Sequence, residues 1–171
     1  MSAARTSLLP YFRIAALLLP LGAAAAVVAA PLDEDPAQPV FETKDRRLKE
    51  ALGQRGGQPV LVNFWAPWCE PCRAEMPSLQ RFAERWRARG LTVLTVDVAD
   101  RKGEGSRFLW DAGVTLPVLY DPDQALTRAL GVRALPMTLV LDRQHRVVAR
   151  AKGAINWDAK ALDRQIDSLL R

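Results

Sequence analysis

The sequence is poor in metal-ligating side chains. Its 171 residues include two cysteines and one histidine, so a zinc site built from four Cys or His ligands is out of reach. It also lacks a basic block. The formal charge of +5 comes from 24 Lys and Arg against 19 Asp and Glu. Two of those positives, Arg5 and Arg13, lie in the first thirty residues, which contain no acid. The remaining chain carries 22 against 19, and with no basic stripe this near-balance argues against a nucleic-acid partner. There is no internal repeat and no low-complexity tract beyond the alanines near the N-terminus, which sets aside a solenoid or an array. What remains is ordinary globular composition, 49% apolar and 25% charged, enough for one domain with a real core.

The first thirty residues differ from the rest. Arg5 and Arg13 precede the stretch from Ile14 to Ala30, seventeen residues without a charge, which is the arrangement of an export signal. As a helix this run reaches roughly 25 Å, slightly short of a hydrocarbon core of about 30 Å. It spans if Leu8 to Phe12 join it and Arg13 snorkels. Positive residues before it and Asp33, Glu34 and Asp35 after it place the N-terminus inside and the rest outside. A cut after Ala30 has the small-residue form, with Val28 at the −3 position, but leaves Pro31 beside the scissile bond. Residues 1–30 therefore read as a signal peptide or an N-terminal membrane anchor, and both deliver the chain to the same side. Residues 31–40, with three acids and Pro31, Pro36 and Pro39, read as an extended tether. Residues 41–171 read as the domain.

Within that domain, Thr43 to Gly53 predicts a short helix. Pro59 to Ala66 is a continuous apolar run, as in a strand buried on both faces. It leads directly into Trp68-Cys69-Glu70-Pro71-Cys72. A helix follows with Met76, Leu79, Phe82, Ala83 and Trp86 at helical spacing, and Pro77 inside it is expected to kink it. Leu91 to Val98 predicts a second buried strand. Ser106 to Ala112 predicts a helix, Leu116 to Tyr120 a short strand, and Gln124 to Leu130 another helix. Pro136 to Leu141 and Arg146 to Ala151 predict a hairpin, and Trp157 to Leu170 a closing amphipathic helix. The alternation makes an α/β fold with a mixed sheet.

Cys69 and Cys72 sit where a strand ends and a helix begins. As a structural staple the pair is weak, because a closed loop of about four residues is worth only ~2 kcal/mol against about 3 for fifteen. Two thiolates also suit Cu(I), so a Cu(I)-binding or transfer module stays open. The redox reading fits the placement, since a thiolate on the first turn of a helix meets unpaired N–H groups and the positive end of the dipole. In that reading Cys69, at the tip, is the exposed nucleophile, and Cys72, one turn in, resolves the mixed disulfide. Pro71 fits the first turn, where its missing N–H costs nothing. Glu70 bears on direction. A carboxylate about 6 Å from the thiolate opposes it by roughly 0.7 kcal/mol in water and about 3 at an effective dielectric of 20. The dipole favours the thiolate by about 0.3 to 2 kcal/mol. The two nearly cancel, which points to a reductant rather than an oxidant. An oxidase or isomerase is the alternative direction, and Glu70 also reads simply as a helix N-terminal acid.

The run from Asn63 to Pro77, containing Trp68-Cys69-Glu70-Pro71-Cys72, resembles the membrane-tethered thioredoxin-like proteins of the TlpA/ResA group. Leu116 to Pro122 is similar to their extra βα segment, and Gly131 to Thr138 to their cis-proline loop. The resemblance covers about residues 41–171. It implies a thioredoxin-like fold, a mixed sheet flanked by helices on both faces, and thiol–disulfide exchange on the periplasmic side of a bacterial inner membrane. It implies no cofactor beyond the redox-active disulfide. The implied partners are exported proteins with disulfides, such as those with cytochrome c or copper-site cysteines, and a membrane thiol-electron transporter as reductant. It further implies that Pro136 is cis and lies against the cysteine pair, with Leu135 offering backbone groups to a substrate strand.

Asn63 stands where plain thioredoxin has a buried acid, so Glu75, one turn beyond Cys72, is a candidate proton acceptor for Cys72 or else a solvated helix carboxylate. Met137 stands where members of the CcmG type have Glu. Ala134 and His145 stand where relatives often have Gly. His145 reads as a surface residue. Trp65 reads as packing, and Trp68 as a wall of the docking site.

Overall fold

The computed structural model describes residues 32–39, 46–98, 100 and 103–171. Six strands form one sheet: β1 (Asp33–Pro39), β2 (Val60–Trp65), β3 (Thr92–Val98), β4 (Val118–Asp121), β5 (Met137–Leu141) and β6 (Arg146–Lys152). Their order is β1-β6-β5-β2-β3-β4. β2 runs parallel to β3, and β3 to β4, while β5 is antiparallel to β2 and to β6. The helices are α1 (Arg46–Gly53), α2 (Glu70–Arg87), α3 (Glu104–Asp111), α4 (Ala125–Ala129) and α5 (Lys160–Leu169).

The period-2 alternation of the central strands divides the core into two layers. Leu61, Trp65 and Val93 face α2, α3 and α5, where Met76, Leu79, Phe82, Trp86, Leu109, Leu162 and Ile166 close one cluster. Val60, Val62, Phe64, Leu94, Val96 and Val98 face the opposite way, against Leu48 and Leu52 of α1 and Leu126 of α4. Every residue of β2 is buried, which explains its unbroken apolar run. The expected mixed sheet with helices on both faces is therefore present, and Leu116 to Pro122 supplies the edge strand β4.

One expectation changes. Within the stretch read as a tether, residues 31–40, Asp33–Pro39 adds to the sheet as β1, antiparallel to β6, with a register shift between Glu34 and Gln38. Leu32 is buried, and its backbone N–H and C=O exchange hydrogen bonds with the Gln165 side chain of α5 at 3.2 and 2.8 Å. An edge strand tolerates prolines because one of its sides needs no ladder partner, so a Pro-rich stretch that looks like a linker still pairs. α2 extends from Glu70 to Arg87 with Pro77 inside it, and Pro77 lies on the exposed side, where one lost backbone bond costs least.

α2 is fixed along its length. Glu70 in its first turn and Arg85 and Arg87 in its last complement the helix dipole. Arg81 and Arg85 pair with Asp158, Arg89 pairs with Asp167, and the Trp86 indole donates to Asp163 at 2.8 Å. These contacts tie α2 to α5 and the turn before it. At the β5–β6 turn, His145 has φ 57°, a left-handed position that glycine adopts at no steric cost. Asp142 holds the turn by accepting from the Gln144 and Arg146 backbone N–H groups at 2.9 and 2.8 Å. His145 is half-buried there, with Nε2 3.1 Å from the Gln58 carbonyl.

The expected signal or anchor, residues 1–30, lies outside the described residues. Among those described, no helix is long and apolar enough to cross a membrane.

Candidate active site

Topology brings the site together. β2 and β5 are antiparallel neighbours with Phe64 opposite Met137. The chain leaving β2 toward α2 and the chain entering β5 therefore meet at one end of the sheet. The same end holds the C-terminus of the parallel strand β3, the usual location for ligand crevices in such sheets. Ala66-Pro67-Trp68 makes the turn out of β2, with the Cys69 N–H donating to the Ala66 carbonyl at 3.0 Å. Cys69 is the N-cap of α2 in an extended conformation, φ −90° and ψ 99°, and Pro71 lies in the first turn.

Cys69 and Cys72 are joined by a disulfide, with S–S 2.02 Å and Cα–Cα 5.3 Å. The Leu135–Pro136 peptide is cis, as the resemblance implied. Cys69, Trp68, Glu70, Pro71, Val98, Val132 and Leu135 border one cleft of about 530 Å³. Cys72 is fully buried beneath it. The expectation of an exposed Cys69 needs correction, because only 6% of its surface is accessible. A helix tip is exposed in isolation, whereas here it joins a core cluster against which Leu135 packs. The asymmetry between the cysteines survives: Cys69 reaches the cleft and Cys72 does not. Trp68 is 67% exposed and borders the cleft.

Glu75 is the larger surprise. It is buried rather than solvated, and its Oε2 accepts from the Ile155 N–H at 2.8 Å and the Trp157 indole at 3.4 Å. Its Oε1 accepts from the Asn63 amide at 2.9 Å, and Asn63 also donates to Thr138 Oγ1 at 3.1 Å. Burial raises the Glu75 pKa above its ordinary value, and the hydrogen bonds from Ile155, Asn63 and Trp157 only partly oppose this. Asn63 is thus a core amide whose work is to hold this acid. Glu75 lies three residues after Cys72, on the same face of α2.

One buried acid escaped the sequence reading. Asp97 of β3 is opposite Trp65 of β2 and fully buried, with the Asp100 carboxyl as its neighbour. Burial first, and then the neighbouring Asp100 carboxyl, push its pKa up to about 7. A Cβ at Gly105 would collide with its Oδ2, so only glycine lets the first turn of α3 approach so closely. The available signal was a lone acid at an inward position of Leu91 to Val98. Trp65 is fully buried against Phe108 of α3 at 5.8 Å between ring centroids, and the Arg73 guanidinium lies 4.8 Å from the Phe108 centroid. Asp121 is a second buried acid, here fully served. It accepts from Leu126 N, Thr127 N, Thr127 Oγ1 and Arg47, which fixes α4 beside the cleft and ties it to α1.

Among the described residues, no group of three or more His, Cys, Asp and Glu side chains is placed to hold a metal ion. Met76, the sulfur nearest the pair in sequence, is fully buried in the core. Met137 is buried on the opposite face of the sheet, and Ala134 is exposed at the loop.

A cysteine pair at the tip of a helix, facing a cis-proline loop at the end of a mixed sheet, defines a thioredoxin-like protein. A sequence profile described as "AhpC/TSA family" matches residues 33–150. The Bacillus subtilis thiol-disulfide oxidoreductase ResA is 30% identical over 114 residues, 67% of this chain and 63% of the relative. The Pasteurella multocida thiol:disulfide interchange protein DsbE is 32% identical over 139 residues, 79% of this chain and 73% of the relative. A secreted thiol-disulfide isomerase of Corynebacterium glutamicum has a solved structure with a TM-score of 0.61 and 35% identity, covering 68% of this chain and 75% of that one. The chain belongs to the AhpC/TSA family and, within it, to the TlpA/ResA group of thioredoxin-like proteins. It spans 63% of the ResA relative's length.

Proposed function

We propose that this chain is a protein thiol–disulfide oxidoreductase that works as a dithiol reductant of disulfides in exported proteins. The observation that carries the proposal is the Cys69–Cys72 pair, with Cys69 opening on a cleft bordered by Leu135 and Cys72 buried behind it.

In the reduced state the Cys69 thiolate attacks a client disulfide. One client sulfur leaves as a thiolate and takes a proton, while the other stays bound to Cys69 as a mixed disulfide. Cys72 then loses its proton, attacks Cys69 sulfur and releases the second client thiolate. The client gains two electrons and two protons, and the enzyme ends as the disulfide. Glu75, held by Asn63, Ile155 and Trp157, is the acceptor for the Cys72 proton, and its raised pKa brings it closer to the thiol it serves. Pro71 starts the helix without cost, Glu70 withholds stabilisation from the Cys69 thiolate, and Trp68 and Leu135 hold the client over the sulfur.

Location on the periplasmic side of a bacterial inner membrane, anchored or released, rests on the charge pattern of residues 1–30. The similar Corynebacterium glutamicum isomerase is named as secreted, which supports export. Clients with cytochrome c or copper-site cysteines, and a membrane thiol transporter that restores the dithiol, complete the reading. For the Cu(I) alternative, the ligands at hand among the described residues are the two cysteines, because Met76 is turned into the core.

The test is insulin disulfide reduction driven by a chemical dithiol. The wild type is expected to turn over, and Cys69→Ser to lose at least about 1,000-fold, as nucleophile removal does in other covalent catalysts. Unchanged turnover in Cys69→Ser overturns the assignment.

A further inference from the structure

We propose that Arg133 makes this enzyme selective for client segments that carry an acidic residue beside the cysteine. This deepens the reading above and rests on it. The cleft over Cys69 has an apolar floor of Val98, Val132 and Leu135, with the exposed Trp68 ring as one wall. Two ionic groups border it: Glu70, in the first turn of α2, and Arg133, in the loop leading to the cis proline. Both are exposed, and no ion pair within 4.0 Å joins them to each other or to any other described residue.

Arg81, Arg85, Arg89 and Arg146 engage carboxylates away from the cleft, whereas Arg133 borders the cleft itself. Arg133 instead presents a planar fork of donors, suited to a bidentate carboxylate, next to a sulfur that must meet another polypeptide. An arriving chain covers the cleft and expels water over Trp68 and Leu135, so a charge contact made there is screened less than on an open surface. Glu70 repels the same acidic group, so the client must place its acid on the Arg133 side. The two charges therefore set both preference and direction, while the apolar floor accepts a neighbouring hydrophobic residue. The occupant is an extended segment with a disulfide cysteine, a flanking Asp or Glu and an apolar neighbour.

The experiment uses the pre-reduced protein and short disulfide peptides that differ only in Asp or Lys on one side of the cysteine, made in both orientations. In one orientation the Asp peptide is expected to be reduced about 3- to 10-fold faster in kcat/KM than its Lys counterpart at low salt, with the ratio shrinking at high salt. Arg133→Gln should bring that ratio to about one, and Arg133→Glu should invert it. Equal rates in both orientations overturn the proposal, as does an Asp preference that survives both substitutions. Hydroxyethyl disulfide, which is neutral and small, serves as the control with the wild type. Failure to reduce it or any peptide would count against the reductase reading itself, whereas its reduction without discrimination among the peptides counts only against the selectivity.

Discussion

At the scale of single residues, the site depends on acids whose surroundings the sequence does not display. Glu75 is the clearest case. Its spacing from Cys72 is legible, but its burial depends on Asn63 of β2 and on Ile155 and Trp157 of the loop before α5, two distant parts of the chain. In its proposed role as acceptor of the Cys72 proton, Glu75 works only when ionised, so mixed-disulfide resolution should speed up as pH rises through its raised pKa. Glu75→Gln is expected to lose that limb of the pH profile and to slow resolution by about 100-fold, the low end of general-base effects. Stopped-flow resolution of a preformed mixed disulfide between pH 4 and 9 measures both. An unchanged profile in Glu75→Gln would remove it from the mechanism. Asp97 yields a stability prediction of definite sign. Its folded pKa is raised from 3.8 to about 7, so the folded chain holds a proton that the unfolded chain gives up. Stability must then fall as pH rises from about 4 to about 7, and level off above. Asp97→Asn should be neutral near pH 4 and stabilising at pH 8, by an amount on the order of 2 to 4 kcal/mol. Urea midpoints at the two pH values check it, and equal effects at both would contradict the buried-acid account.

At the scale of elements, periodicity carried most of the fold. The helical spacing of Met76, Leu79, Phe82 and Trp86 and the apolar runs of β2 and β3 each mark an element that buries one or both faces, and all are found as read. β1 was missed for a physical reason. An edge strand has one unpaired side, so it tolerates prolines and acids that a central strand would reject. Composition alone therefore cannot separate it from a linker. The consequence is measurable. A chain beginning at residue 41 loses the buried Leu32, its two hydrogen bonds to Gln165 and the pairing with β6. It is expected to be less stable than a chain beginning at residue 31 by about 3 kcal/mol or more. Equal urea midpoints would show that the segment is a tether after all. The exposure of Cys69 was misread for a related reason: the helix tip was visible in the sequence, but the loop from Arg133 to Pro136 that meets it arrives through the β2–β5 pairing.

At the scale of the whole molecule, the order of strands does the chemical work. An antiparallel β5 next to a parallel β2 sets the cis-proline loop opposite the cysteine helix, and the two-layer core packs against both. In the proposed function the site trades electrons with other chains, at a potential set by the balance between the thiolates and the disulfide. Glu70 opposes the helix dipole at Cys69, so the reduced form gains little, and the pair should be a reductant. The most direct measurement is equilibration of the purified protein with glutathione or dithiothreitol buffers, reading the Cys69–Cys72 state. The expected result is one reversible two-electron transition with a midpoint between about −300 and −200 mV. A midpoint above about −150 mV, or no reversible transition, would contradict the claim that this cysteine pair passes electrons to client disulfides.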